Sequence, residues 1–151
     1  MSVAWKYINK PEAAIAAIGD YTNMRSIINN TPEEIKAVYE KMASPKASVL
    51  SLVPGSRNPL SALERVTDQI DQLDVLRERY SHAVDYMAWF EPAWGTLTYT
   101  EKLVLSEFYG SGNLRSGANA RLQHRMNYSE SHIERIKNKA LARMIVLLFG
   151  R

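Results

Sequence analysis

Residues 98–149 read TYTEKLVLSEFYGSGNLRSGANARLQHRMNYSESHIERIKNKALARMIVLLF, and this stretch decides the fold. Thr98 followed three residues on by Glu101 is a capping box, in which a hydroxyl and a carboxylate satisfy each other's backbone N–H groups at a helix start. Leu97, Val104, Leu105 and Phe108 then face inward at helical spacing. Gly110 is expected to close that helix in left-handed geometry. A second helix, roughly Gly117 to Met126, buries Leu122 and Met126. Asn127 tolerates the positive backbone dihedral that a tight turn at Met126-Asn127-Tyr128-Ser129 requires. Ser129 caps a third helix that turns Ile133, Ile136, Ala140, Leu141, Met144, Leu147 and Leu148 inward. Two helices joined in this way form a helix-turn-helix, a motif that presents its second helix to the DNA major groove.

The residues left outside the third helix are Glu130, Ser131, His132, Glu134, Arg135, Asn138 and Lys139, with Lys137 at the margin. In a helix-turn-helix the leading residues of the second helix reach base edges, while flanking cations hold phosphates. Ser129, Ser131 and His132 sit at that leading end, and Arg135 follows one turn along the same face. Arg135 is the candidate for a bidentate contact to guanine. Arg121, Arg125, Lys137 and Lys139 are the candidates for the DNA backbone. Glu130 and Glu134 look misplaced beside phosphate, unless one selects cytosine or both orient neighbouring cations.

Upstream, the chain reads as a helical body over 1–92 that carries this 93–151 module. Trp5 and Tyr7 in the first ten residues are candidates to pack against a neighbour. Pro11 suits a first helical position, and Ile15, Ile18, Tyr21, Met24 and Ile28 support an amphipathic helix that Asn29-Asn30 ends. Gly19 weakens it by roughly 1 kcal/mol relative to Ala. Thr31-Pro32-Glu33-Glu34 signals a new helix start, with Ile35, Val38, Tyr39 and Met42 as its stripe. The expected result is an N-terminal helical hairpin. Residues 44–59, with three prolines, a glycine and four serines, read as a linker in which Val49, Leu50, Leu52 and Val53 can dock.

One long central helix, 59–90, follows, and Glu91-Pro92 is expected to stop it. Leu63, Val66, Ile70, Leu73, Tyr80, Val84 and Met87 alternate in three- and four-residue steps, with Arg77 interrupting them. Such a seam serves either a homodimeric coiled coil or packing on the N-terminal hairpin within one chain. Trp89, Phe90 and Trp94 are expected to form a hinge core between body and module.

Composition narrows the function classes. Of the 151 residues 46% are apolar, enough to support a packed core rather than wholesale disorder. The absence of cysteine excludes disulfides and Cys-type zinc sites. No apolar run approaches a membrane span and no leader pattern is visible, so a cytoplasmic protein without membrane attachment is expected. The net charge of +3 is unevenly spread. Residues 111–151 hold eight basic and two acidic residues, whereas the first 110 hold eleven basic and fourteen acidic. A basic module on a mildly acidic body is the electrostatic footprint of nucleic-acid binding. His82, His124 and His132 lack metal-ligand spacing, no Gly-rich phosphate loop follows a strand, and no nucleophile–base pairing stands out. No catalytic, metal or cofactor role is expected.

The last third resembles region 4 of sigma-70-type transcription factors. The resemblance rests on Glu101, Val104, Leu105 and Tyr109 before the motif and on Ser129, Ile133, Ile136, Lys139, Ala140 and Leu141 within it. The whole layout is similar to phage transcriptional regulators of the ArpU and RinA type, through Arg79-Tyr80 in the long helix and the terminal Leu147-Leu148-Phe149-Gly150. That resemblance implies an all-α activator of phage or prophage genes in a bacterial host, bound to double-stranded DNA and contacting RNA polymerase. Two departures stand out: Leu122-Gln123 replaces an Ile-Ala pair usual in the second helix, and Glu130 stands where sigma factors often carry a basic residue. Promoter preference is therefore not transferred. Two rival expectations are a small terminase subunit at a packaging site and a polymerase-binding module without DNA affinity.

Overall fold

A computed structural model of the chain describes residues 8–43, 59–112 and 115–150. Their regular structure is α1 (Lys10–Met42), α2 (Pro59–Gly95), α3 (Tyr99–Tyr109), α4 (Ala118–Met126) and α5 (Glu130–Phe149). The described residues contain no strand, so the protein is all-α as expected. No helix among them is long and apolar enough to cross a membrane. The packing expected of Trp5 and Tyr7 and the linker with Val49, Leu50, Leu52 and Val53 lie outside the described residues.

The expected N-terminal hairpin does not form. α1 runs unbroken for 33 residues through Asn29-Asn30, with Pro32 in its interior. Proline lacks the N–H that the Ile28 carbonyl would accept, at a cost of about 3 kcal/mol in a helix interior. Burial on one face of α1 opposes that cost. Val38 packs with Leu73 and Leu76 of α2, flanked by Ile35 and Met42. Arg79 Nη2 donates to both carboxylate oxygens of Glu34, at 2.9 and 2.8 Å. Pro32 itself faces solvent. Thr31, expected to cap, is instead fully buried, and its hydroxyl oxygen has no hydrogen-bond partner.

α2 pairs antiparallel with α1, and its buried positions are Leu73, Leu76, Ala83, Met87, Phe90, Ala93 and Trp94. The inner stripe is thus rotated from the expected seam. Leu73 and Met87 of that seam are buried, while Leu63, Val66, Ile70, Tyr80 and Val84 are exposed. Arg77, which interrupted the seam, donates through Nη2 to the Tyr39 hydroxyl at 2.6 Å. Nor does Glu91-Pro92 stop the helix, since α2 continues to Gly95 with Pro92 inside it. Ala93 and Trp94, which follow that proline, are both buried. The stop comes when the Thr96 and Leu97 amides donate to Ala93 and Trp94, each at 3.2 Å, with the Thr96 hydroxyl also on Ala93 O.

The chain divides into two compact units, Met1–Arg25 with Asp85–Arg151, and Ser26–Val84. A boundary at 92/93 is not where they separate. In the first unit the start of α1 (Ala14, Ala17, Ile18), the end of α2 (Phe90, Ala93, Trp94) and the second half of α5 (Ala140, Met144, Leu148, Phe149) share one core. Phe90 is fully buried and lies 5.2 Å from Tyr86, 5.4 Å from Tyr21 and 5.5 Å from Trp94, centroid to centroid. These aromatics are therefore the interior of a unit rather than a hinge. Trp89 is half exposed, donates its indole N–H to Leu148 O at 3.3 Å and meets the Phe149 ring edge-on. Gly19 has a packing role: a Cβ there would stand 3.2 Å from the Tyr109 carbonyl oxygen, so the missing side chain lets α1 approach the end of α3.

Candidate nucleic-acid interface

Three short-range devices shape the C-terminal helices. At the start of α3 the Glu101 amide donates to Thr98 Oγ1 at 3.2 Å and the Thr98 amide to Glu101 Oε1 at 3.1 Å, the complete capping box. Between α4 and α5, Asn127 adopts φ 55°, and its amide donates back to Gln123 O at 3.0 Å. Ser129 then caps α5, its hydroxyl accepting the His132 amide at 3.3 Å. Gly110 closes α3 as expected, but in extended rather than left-handed backbone. Its φ is −67°, and what excludes a side chain is the Ser106 carbonyl oxygen, 2.3 Å from where a Cβ would lie.

Val104 and Phe108 of α3, Ala118 and Leu122 of α4 and Ile133 of α5 form a second core, with Leu103, Tyr109, Met126 and Ile136 packed around it. Leu122 and Ile133 are fully buried, which locks α4 and α5 together one turn from their connection. Leu147, expected inward, is 45% exposed, while Phe149 takes its place in the first core.

The candidate residues of α5 divide by environment. Ser131, Arg135, Asn138 and Lys139 are exposed, at spacings that align them along one face. Arg135 Nε donates to Ser131 O at 3.3 Å, which folds the guanidinium toward the leading end of the helix. Ser129 spends its hydroxyl on the cap. His132 is half-buried, its ring edge-to-face with Tyr128 at 4.6 Å and an interplanar angle of 90°.

Lys137 turns inward instead. Its side chain is 14% exposed, with Nζ 2.7 Å from Glu134 Oε2 and 4.6 Å from the Phe108 ring centroid. That pairing explains Glu134, and Glu130 sits in the first turn of α5, where the helix dipole favours a negative charge. Neither acid needs a nucleic-acid role.

On α4, one carboxylate of α3 gathers both candidate cations. Glu107 Oε2 is 3.1 Å from Arg121 Nε and its Oε1 is 3.7 Å from Arg125 Nη1. Arg121 Nη1 also donates to Ser116 O at 3.2 Å. Both arginine side chains remain about half exposed, so the carboxylate orients rather than hides them. Arg143 Nη1 meets Glu101 Oε1 at 3.4 Å and ties α5 to the start of α3.

Reading the sequence missed Glu107 and Tyr128. Glu107 lies fourteen residues from Arg121, and no local spacing announces such a contact. Tyr128 precedes His132 by four residues, a separation that brings side chains together and was available as a signal. No protein-family model, curated protein or solved structure matches this chain.

Proposed function

We propose that the chain binds double-stranded DNA with α5 in the major groove and regulates phage or prophage transcription in the bacterial cytoplasm, as a non-enzymatic activator that contacts RNA polymerase. One observation carries the DNA reading. A row of exposed hydrogen-bonding and cationic side chains, Ser131, Arg135, Asn138 and Lys139, follows directly on a three-residue turn. The opposite face of the same helix is anchored by Ile133 in the three-helix core. A reader needs this combination of a fixed helix axis and an uncovered polar edge.

The proposal gives each residue a role. Arg135 reads a guanine edge, Ser131 and His132 act at the leading end, and Lys139 with Arg121 and Arg125 holds phosphates. Ser129 serves as the cap and Lys137 as internal support. The regulatory half of the proposal rests on the resemblance to sigma region 4 and to the ArpU and RinA regulators. If the exposed α2 stripe brings two copies together, the site is a repeat with half-sites about 10 base pairs, one helical turn, apart.

The test is capture of fragments of the source genome on the purified protein, followed by sequencing. Enrichment upstream of late or integration-gene promoters supports the proposal. Enrichment at a packaging site points to a small terminase subunit, and no enrichment at low salt points to a polymerase-binding module without DNA affinity. On the captured site, Arg135→Ala should relax preference at one base pair by about 1–3 kcal/mol. Unchanged preference would remove Arg135 from the reading set.

A further inference from the structure

The turn between α4 and α5 holds an aromatic pair at the end of α5 that a groove would meet first. Tyr128 is 37% exposed and lies between Asn127, in left-handed backbone, and the capping Ser129. Its backbone is therefore set from both sides. His132 is the third residue of α5, and its own amide is held by Ser129. The two rings meet edge to face, 4.6 Å between centroids at 90°. In this arrangement the positive edge of one ring faces the negative face of the other.

An imidazole on a solvated helix end ordinarily samples several rotamers, and a base contact must then immobilise it. A ring already seated against Tyr128 has lost that freedom before DNA arrives, so the hydrogen bond that its nitrogen makes to a base edge carries a smaller ordering cost. We infer that Tyr128 is a positioning residue that sets the base preference of His132, at one base pair adjoining that read by Arg135. The inference rests on the proposed DNA reading of α5. It assigns to Tyr128 no contact of its own with a base.

The experiment selects binding sites from a library of random DNA duplexes with the full chain and with His132→Ala, Tyr128→Ala, Tyr128→Phe and the double alanine variant. Ring-proton NMR of His132 in each DNA-free protein that retains the imidazole accompanies it. The expected result has four parts: Tyr128→Ala loses preference at the base pair lost by His132→Ala, by a similar factor of about 5 or more; the double variant loses no more than either single one; Tyr128→Phe retains the preference; and the ring-current shift of His132 disappears in Tyr128→Ala and persists in Tyr128→Phe. A uniform fall in affinity for Tyr128→Ala, or a change at a base pair that His132→Ala does not affect, would overturn the inference and leave the DNA reading standing. Failure of the wild type to select any sequence would overturn both. Dispersion of the amide-proton spectrum, kept in a folded variant and lost in a disordered one, separates a disordered variant from one in which only the pair is broken.

Discussion

Tyr86 links the two long helices inside the first unit, and replacing it with Phe tests how that unit is held. The Tyr86 hydroxyl donates to the Ala17 carbonyl of α1, while the ring stacks on Phe90 and meets Trp89 edge-on. Phe keeps the ring contacts and removes only the hydroxyl. The Ala17 carbonyl lies inside α1 and keeps its helical partner, so the loss near pH 7 should be about 1 kcal/mol, the net worth of one hydrogen bond. Alkaline pH changes the sign. Burial first, then the charge of Asp20 and the neighbouring Tyr21, raises the Tyr86 pKa above its ordinary 10.0. The phenol thus stays neutral in the folded chain while the unfolded chain ionises. Its contribution is complete below about pH 10 and is lost as pH rises, with the unfolded state gaining at most about 1.4 kcal/mol at pH 11. Wild type should therefore be the more stable protein at pH 7 and Tyr86→Phe the more stable at pH 11, crossing between about pH 10 and 11. Urea unfolding followed by far-UV circular dichroism across pH 7–11 measures the difference directly. A difference that stays constant with pH would refute the claim that the hydroxyl is held neutral against Ala17.

Three further outcomes follow from particular residues. Lys139→Met should lower the slope of log affinity against log salt by about 0.9, one phosphate contact, whereas Lys137→Met should leave the slope unchanged and lower the melting temperature; equal slopes for both would contradict the inward turn of Lys137. Asn127→Ala should destabilise by about 1–2 kcal/mol because alanine resists left-handed backbone, and Asn127→Gly should be close to neutral, both by thermal melting. Thr31→Val keeps the shape of a buried side chain and removes a hydroxyl without a partner, so it should stabilise by about 1 kcal/mol in urea unfolding; a loss would show that the hydroxyl is bonded in the folded chain.

The candidate interface was legible where its parts depend on near neighbours. Thr98 with Glu101, Asn127 in left-handed backbone and Ser129 under the His132 amide are contacts spanning three or four residues, so residue type at fixed spacing is enough to name them. The environments of its cations were not legible. Lys137 against Phe108, and Arg121 and Arg125 on Glu107, depend on how α3 lies across α4 and α5.

The same division runs through the fold. Periodic apolar positions, helix caps and the lack of any strand pattern determined an all-α chain with three helices after Thr98, because hydrogen bonding within a helix is local. Whether a weak stop signal ends a helix is a different question. Asn29-Asn30 with Thr31-Pro32, and Glu91-Pro92, carry local preferences worth a few kcal/mol. Val38 against Leu73 and Leu76, and Ala93 and Trp94 in the core with Ala14 and Met144, lie on the far sides of those signals. Each helix runs on because burial of these residues exceeds the cost of the proline, and that burial exists only once distant parts of the chain have met.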